Sequence, residues 1–390
     1  MFEIVVSVGM GPGQVLFIKR LKEMGYCVAS FGKGLNSTEA IALSDFSAEI
    51  DTRDFLGAVE WLESLGGHIV AVGSFAGGAA VLTVQKLANH FHTPTAIPDS
   101  LIISKDKIEQ QMLLEHFGLS SIHTWKVRNL NEKELEKDQN SLYIIKPAFG
   151  RGSEGIRYVD KKRLLDEMKQ KDQLDNDDII QVVKKGTEYR SVMIVQNGEL
   201  KLLAPIIRKS YKETVFLGIL SYSDEHINRI NALLRSFITK SGIKNSIFKA
   251  DILVSHESID IIEMDIGVGG GSYYKKYVSA LYGRDLMDEY ISLITGKEVE
   301  SFKIENPSLV MEYVYNHHSY PVSYDLSECE RLIRKEFGEC IIQVNRLHPE
   351  NKGGFRSNAD FIFTVIYRSA NRNEQVIDSF VNSRLFSKKE

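Results

Sequence analysis

The densest chemical signal in the chain is Tyr143-Ile144-Ile145-Lys146-Pro147-Ala148-Phe149-Gly150-Arg151-Gly152-Ser153-Glu154-Gly155. An apolar run delivers a lysine, and a glycine-rich stretch follows it directly. Glycine lets backbone N–H groups approach phosphate oxygens closely, and the lysine supplies a compact positive charge. A plain surface loop after an edge strand accounts for this segment about equally well. Downstream, Asp251 falls in one apolar run, and Glu263 and Asp265 fall in the next, two residues apart. That spacing puts Glu263 and Asp265 on one face of a strand, with Asp251 opposite Glu263 if the pairing register allows. Acids so placed repel one another unless a cation lies between them, and oxygen ligands suit Mg²⁺ bridging nucleotide phosphates. Some of them would otherwise be ordinary solvent-facing acids, yet Ile261, Ile262, Met264 and Ile266 mark a buried strand, where acids need a partner. A weaker signal is Ile180-Gln181-Val182-Val183-Lys184-Lys185-Gly186-Thr187-Glu188, where backbone groups at a strand exit could hold adenine and Glu188 could accept from ribose hydroxyls. By itself it reads more readily as a surface turn.

The elements that must position these residues follow from periodicity. Ile4 to Val8, Cys27 to Phe31 and His68 to Val72 read as strands, alternating with helical stretches at Gln14–Met24 and Phe55–Leu65. Short glycine turns, Gly9 to Gly13 and Gly73 to Gly78, join them. This pattern predicts a parallel α/β domain over residues 1–100, and strand ends in such sheets are where ligands bind. The first turn spaces its glycines too closely for a dinucleotide fingerprint and lacks the Gly-Lys-Ser/Thr ending of a P-loop. After Pro98-Asp99, a helix from Lys105 to Phe117 closes on Gly118. Strands at 143–145, 179–183, 191–195, 201–207, 248–254 and 259–264, with an Asn197-Gly198 hairpin turn, predict an α+β domain over 101–300. A boundary near Ile304-Pro307 leaves a small C-terminal α+β domain over 301–390.

Composition bounds the class. The 390 residues are 43% hydrophobic and 26% charged, with formal net charge -4 and a pI near 6.2. An acidic balance argues against a nucleic-acid partner. No apolar stretch approaches the roughly 20 residues of a membrane span. The three cysteines, Cys27, Cys329 and Cys340, show no metal-like spacing and suit a reducing, cytoplasmic setting. His317-His318 has no acid or cysteine at ligand spacing and reads as a surface turn.

In order and spacing, these segments resemble the ATP-grasp superfamily, the carboxylate–amine ligases in particular. The resemblance covers residues 1–300 in layout and is most specific from Lys107 to Gly271. Residues 301–390 are similar to the small domain of biotin-carboxylase-type members only in strand–helix order. The resemblance implies a pre-ATP-grasp domain followed by a two-lobed ATP-grasp domain with a lid at about 140–183. Lys107 and Lys146 would be the phosphate lysines, and Gly150, Arg151, Gly152, Ser153 and Gly155 the loop closing over the phosphates. Gln181 with the backbone of Val183 and Lys184 would frame adenine, Glu188 would bind ribose, and Asp251, Glu263 and Asp265 would hold Mg²⁺ or Mn²⁺. It further implies that Mg-ATP activates a small-molecule carboxylate as an acyl phosphate, which passes to an amine, in a protein that is often a homodimer. A carboxylase, a kinase-like phosphotransferase and an ATP-binding regulatory protein without turnover are the alternatives. The family pattern Glu-x-Asn-x-Arg is broken here, with Asp265 for the asparagine and Gly267 for the arginine. Arg208 and Lys209, ending a strand, are the candidates for the missing cation, and Lys275 and Lys276 are weaker ones. The two glycine turns, with Ser74 and Gly77, are expected to help hold a substrate, and Tyr273-Tyr274 to line its pocket or pack in the core.

Overall fold

A computed structural model describes residues 2–34, 36–75, 80–98, 106–130, 132–137, 142–148, 155–169, 174–175, 177–211, 217–267, 273–301, 303–346, 360–369, 375–385 and 387–388. The N-terminal strands β1 (Glu3–Val8), β2 (Cys27–Phe31), β3 (Phe46–Ala48) and β4 (His68–Gly73) form a parallel sheet in the order β3-β2-β1-β4. β1 is buried along all but its first residue, which explains its unbroken valine and isoleucine run. The chain builds outward from β1 to β3 and then returns to β4, so the C-terminal ends of β1 and β4 lie side by side at the topological switch point.

A second sheet is antiparallel: β5 (Thr124–Lys126), β6 (Leu142–Pro147), β7 (Arg157–Asp160) and β8 (Asp178–Val182), in the order β5-β8-β6-β7. It has its own small core, in which Tyr143, Ile145, Ile180 and Val182 pack against Leu135 and Leu164. The alternate residues Ile144, Lys146, Ile179 and Gln181 therefore face the other way. The edge strand β5 of this sheet begins ahead of residue 140.

The third sheet has eight strands. β9 (Thr187–Gln196), β10 (Glu199–Ser210), β11 (Leu217–Tyr222), β12 (Ser246–Val254), β13 (Ile259–Ile266), β14 (Leu309–Val314), β16 (Ile341–Arg346) and β17 (Phe363–Arg368) lie in the order β13-β12-β9-β10-β11-β14-β17-β16. Two short strands, β15 (Val322–Ser323) and β18 (Ser387–Lys388), pair separately. Asn197 and Gly198 take φ of 55° and 79° at the β9–β10 turn, the positive values that a tight hairpin requires. The expected boundary near residue 304 does not interrupt this sheet: β14 pairs with β11 and carries β17 and β16 with it.

One face of the large sheet is covered by the helix Ile227–Ser241, which buries Ile230, Leu233, Leu234, Phe237 and Ile238. That is the i, i+3, i+4, i+7, i+8 stripe of an amphipathic helix. The opposite face shares a core with the N-terminal domain, where Val192, Ile206, Met311 and Tyr313 join Phe17, Phe75 and Tyr290. Among the described residues no helix is long and apolar enough to cross a membrane. The three cysteines are free thiols, with Cys329 buried as packing.

Candidate active site

Cross-strand partners share a face, so the register of the large sheet defines a charged floor. Asp251 lies opposite both Glu263 and Arg190, Lys249 opposite Asp265, and Ile206 opposite Arg190. The floor therefore carries Asp251, Glu263 and Asp265 beside Arg190, Lys249, Glu188 and Arg208. The condition the acids needed is met in register, but three cations are interleaved with them. Arg190 grips Asp251 through two bonds of 2.7 Å. Burial pushes the Asp251 carboxyl up, but Arg190, Arg208 and Lys249 outweigh it and hold it below the usual range. Asp265 pairs with Lys249 at 3.0 Å and is 59% exposed. Glu263 forms no hydrogen bond or ion pair among the described residues. The expected trio is thus not gathered as a ligand set, and among the described residues no three His, Cys, Asp or Glu side chains stand ready to hold a metal. Asp265 is the acid that drops out, because Lys249 on the neighbouring strand neutralises it.

Lys146 hangs from the lid above this floor and is 4% exposed. Burial pushes its ammonium down, Glu263 opposes that, Lys107 adds to it, and Asp251 and Glu188 oppose it again. Two lysines and the floor acids thus meet across one cleft. Lys107 is buried at the first position of the helix Lys107–His116, where Asp106 caps the Ile108 and Glu109 amides. Its Nζ lies 3.4 Å from the Pro147 carbonyl oxygen. Gly155 takes φ +72°, and a Cβ there would press on Pro147 at 3.1 Å, so a glycine is needed where the chain turns back over β6. Gly150, Arg151, Gly152 and Ser153 lie outside the described residues.

Other expected residues take different roles. Gln181 is buried on the cleft face of the lid, and its amide donates to the Thr124 hydroxyl at 2.8 Å. The Val183 N–H is taken by the Leu142 carbonyl at 3.0 Å, so it cannot serve adenine. Lys184 sends its side chain to Ser121 and Asp260, at 2.6 and 3.1 Å. Glu188, expected to bind ribose, accepts from Arg208. Lys209 is a correction: it pairs with Ile219 while Arg208 pairs with Leu220, so the pleat turns Lys209 to the face away from the cleft. Ser74 is 4% exposed, accepts from Gln14 at 3.0 Å and is clasped by the Tyr290 hydroxyl, which receives its N–H and donates to its carbonyl. It locks the turn after β4 rather than opening toward a substrate, and Gly77 lies outside the described residues. Lys276 is half-buried in a π-helical turn, Tyr273–Val278, and burial lowers its ammonium. The side chains of Tyr273, Tyr274 and Lys275 lie outside the described residues. His317 is not a bare surface residue, because its Nε2 lies 2.8 Å from the buried carboxylate of Asp378.

Two residues of the site were missed from sequence. Tyr158 stands opposite Ile144 on the cleft face of the lid. Burial and then Glu188 raise its phenol, and Arg208 pulls it down, while the residue is 46% exposed. Tyr313, on β14, turns its buried phenol toward Arg190 and Arg208, which partly offset the upward push of burial. The alternation of β7 could have flagged Tyr158; nothing local marks Tyr313, which reaches the cleft only through the β11–β14 pairing.

No protein-family profile and no curated protein sequence matches the chain. Solved structures do. An L-amino acid ligase from Bacillus licheniformis superposes with a TM-score of 0.75 at 13% identity, over 100% of this chain and 99% of that one. A phosphoribosylglycinamide synthetase from Anaerococcus prevotii gives 0.68 at 14% identity over 100% of both chains. An N5-carboxyaminoimidazole synthase from Aspergillus clavatus, in complex with ADP and 5-aminoimidazole ribonucleotide, gives 0.68 at 11% over 98% of this chain and 97% of that one. The likeness runs the full length of the chain, and the chain shares the fold of these ligase and synthetase structures.

Proposed function

We propose that this protein is an ADP-forming ATP-grasp ligase that activates a small carboxylate and joins it to an amine. The observation that carries the reading is the approach of buried Lys146 to Glu263 and Asp251, with Lys107 beside it. A buried lysine pair held over unspent acid is costly without a ligand, and a triphosphate with its cation would satisfy both charges. Glu263, which has no ion pair among the described residues, would hold a magnesium ion, or manganese in its place, with Asp251 joining it once Arg190 releases a carboxylate oxygen, whereas Asp265 is held by Lys249. Such an ion, held from these carboxylates, would supply positive charge to neutralise the phosphates. Lys107 and Lys146 would steady the phosphates. None of the described hydrogen bonds uses the Val183 carbonyl or the Lys184 N–H, which supports adenine docking at that strand exit through these two groups.

In the reaction, an oxygen of the acid attacks the γ-phosphorus in line and the bond to ADP breaks. The amine nitrogen then attacks the acyl carbon, sheds a proton and expels phosphate. The chain's work is positioning and charge neutralisation. Arg208 would meet the acyl phosphate in lieu of an arginine at 267, exchanging Glu188 for it, with Tyr158 and Tyr313 near that pair. Amino acids or peptides are the proposed substrate class. A second reading, an ATP-binding regulator without turnover, is favoured by Gly267 alone.

The test is phosphate release from Mg-ATP with a panel of carboxylic acids and hydroxylamine as surrogate amine. Acid-dependent phosphate with a hydroxamate product supports the ligase. ATP binding with no acid-dependent release across amino acids and peptides favours the regulator.

A further inference from the structure

The C-terminal helix Val376–Arg384 has an unusual polar stripe. Gln375, Asp378, Ser379, Asn382 and Ser383 fall at i, i+3, i+4, i+7 and i+8. Such a stripe normally faces water. Here it lines a cavity of about 280 Å³ closed by Tyr211 and His317. Asp378 forms the floor at 1% exposure and Tyr211 a wall at 3%, while Ser379 and Ser383 are exposed at the mouth.

The floor carboxylate is fully spoken for. It accepts from the Tyr315 amide at 3.0 Å and from Asn382 at 3.3 Å, and it pairs with His317 at 2.8 Å. His317 in turn lies 2.8 Å from the Tyr211 hydroxyl. The Gln375 amide nitrogen is different: it is buried and has no acceptor among the described residues. Leaving a buried donor unmet costs about 1–3 kcal/mol, so this donor favours an acceptor that arrives from outside. Gly218 makes the arrangement feasible. A Cβ there would meet Tyr211 backbone atoms at 3.0 and 3.1 Å and Gln375 Cδ at 3.2 Å, so only a bare α-carbon lets these two residues converge.

We propose that this cavity is a binding site for a small carboxylate, separate from the nucleotide cleft. The ligand carboxylate accepts from Gln375 Nε2, with Tyr211 and the His317–Asp378 pair beside it. The volume suits a compact metabolite such as an amino acid rather than a nucleotide.

The test is ligand-observed NMR on the full chain without nucleotide, using acetate, glycolate, alanine and glutamate as probes. At least one probe is expected to bind at roughly millimolar affinity or tighter. Gln375→Leu is expected to weaken it about 3- to 10-fold, the worth of one hydrogen bond. Ser383→Trp, at the exposed mouth where folding is not at stake, is expected to block it. Binding to glutamate and alanine but not to acetate and glycolate would assign the site to amino acids; the reverse would assign it to simple acids. Lys146→Ala is expected to leave acid binding intact, so the ligase reading can fail while this site stands. Absence of binding by every probe, or binding that survives Gln375→Leu and Ser383→Trp but is lost in Arg208→Ala, would overturn the proposal.

Discussion

Lys146 joins the two sheets electrostatically, since it is buried in the lid while every acid that supports its charge belongs to the floor. Replacing it with alanine is expected to lower kcat/KM for acid-dependent ATP turnover by roughly 10²–10³-fold, the usual loss for one preorganised donor. A fall under about threefold in steady-state kinetics would remove Lys146 from the phosphate site. Gly267 closes β13 with φ +85°. A Cβ there has room, its nearest neighbour being Val81 Cγ2 at 3.8 Å, so backbone conformation rather than space decides what this position accepts. Placing an arginine here by Gly267→Arg is expected to cost about 1–2 kcal/mol in urea unfolding, because an L-residue resists this conformation. Unchanged stability would show that the turn rearranges freely, and the absent arginine would then need another explanation.

Helix starts and strand ends set the precision of the site. The helix Lys107–His116 starts at Lys107, the proposed phosphate lysine, with Asp106 holding the two following amides, at 2.8 and 3.3 Å. Asp106→Ala is expected to cost about 1 kcal/mol of stability by loss of the cap. It should also raise the KM for ATP, as Lys107 loses its fixed origin, while Asp106→Asn largely restores both. A stable Asp106→Ala enzyme with wild-type KM would uncouple the cap from the site. β10 teaches a related lesson. Arg208 and Lys209 are neighbours in sequence, yet the pleat sends one to the cleft and the other behind the sheet.

Across the whole molecule, β14 makes the C-terminal segment part of the main sheet, and Glu312 lies buried where the two meet. It accepts from the Asp378 amide at 2.6 Å and the Tyr367 hydroxyl at 2.9 Å. Burial pushes its carboxyl from 4.5 up to about 7, against the pull of these donors. The folded chain therefore keeps a proton that the unfolded chain releases. Its contribution is full below about pH 4.5 and is lost as pH rises to about 7, a swing of roughly 3 kcal/mol. Glu312→Gln keeps an acceptor for Asp378 and has no proton to lose. Urea unfolding near pH 5 and near pH 8 is expected to show a smaller fall for the variant than for the parent. Equal falls would mean that Glu312 is ionised in the fold.

Much of the architecture was legible along the chain because it is local. Period-2 and period-3.6 patterns placed most strands and helices, Gly118 and Asn197-Gly198 marked a cap and a hairpin, and the spacing of Glu263 and Asp265 set them on one face. The order of lysine, glycine loop and acids sufficed to name the fold. What lies on the far side of a strand pairing could not be read this way. The Arg190–Asp251 grip, the Lys249 partner that withdraws Asp265, and the union of Glu188 with Arg208 all join residues brought together by register. The continuation of the sheet through β14, which carries Tyr313 to the cleft and Glu312 into the core, depends on an edge-to-edge choice between distant segments. Backbone hydrogen bonding is the same for any pair of strands, so only the packing of the whole molecule decides which strands meet and which charges must then live together.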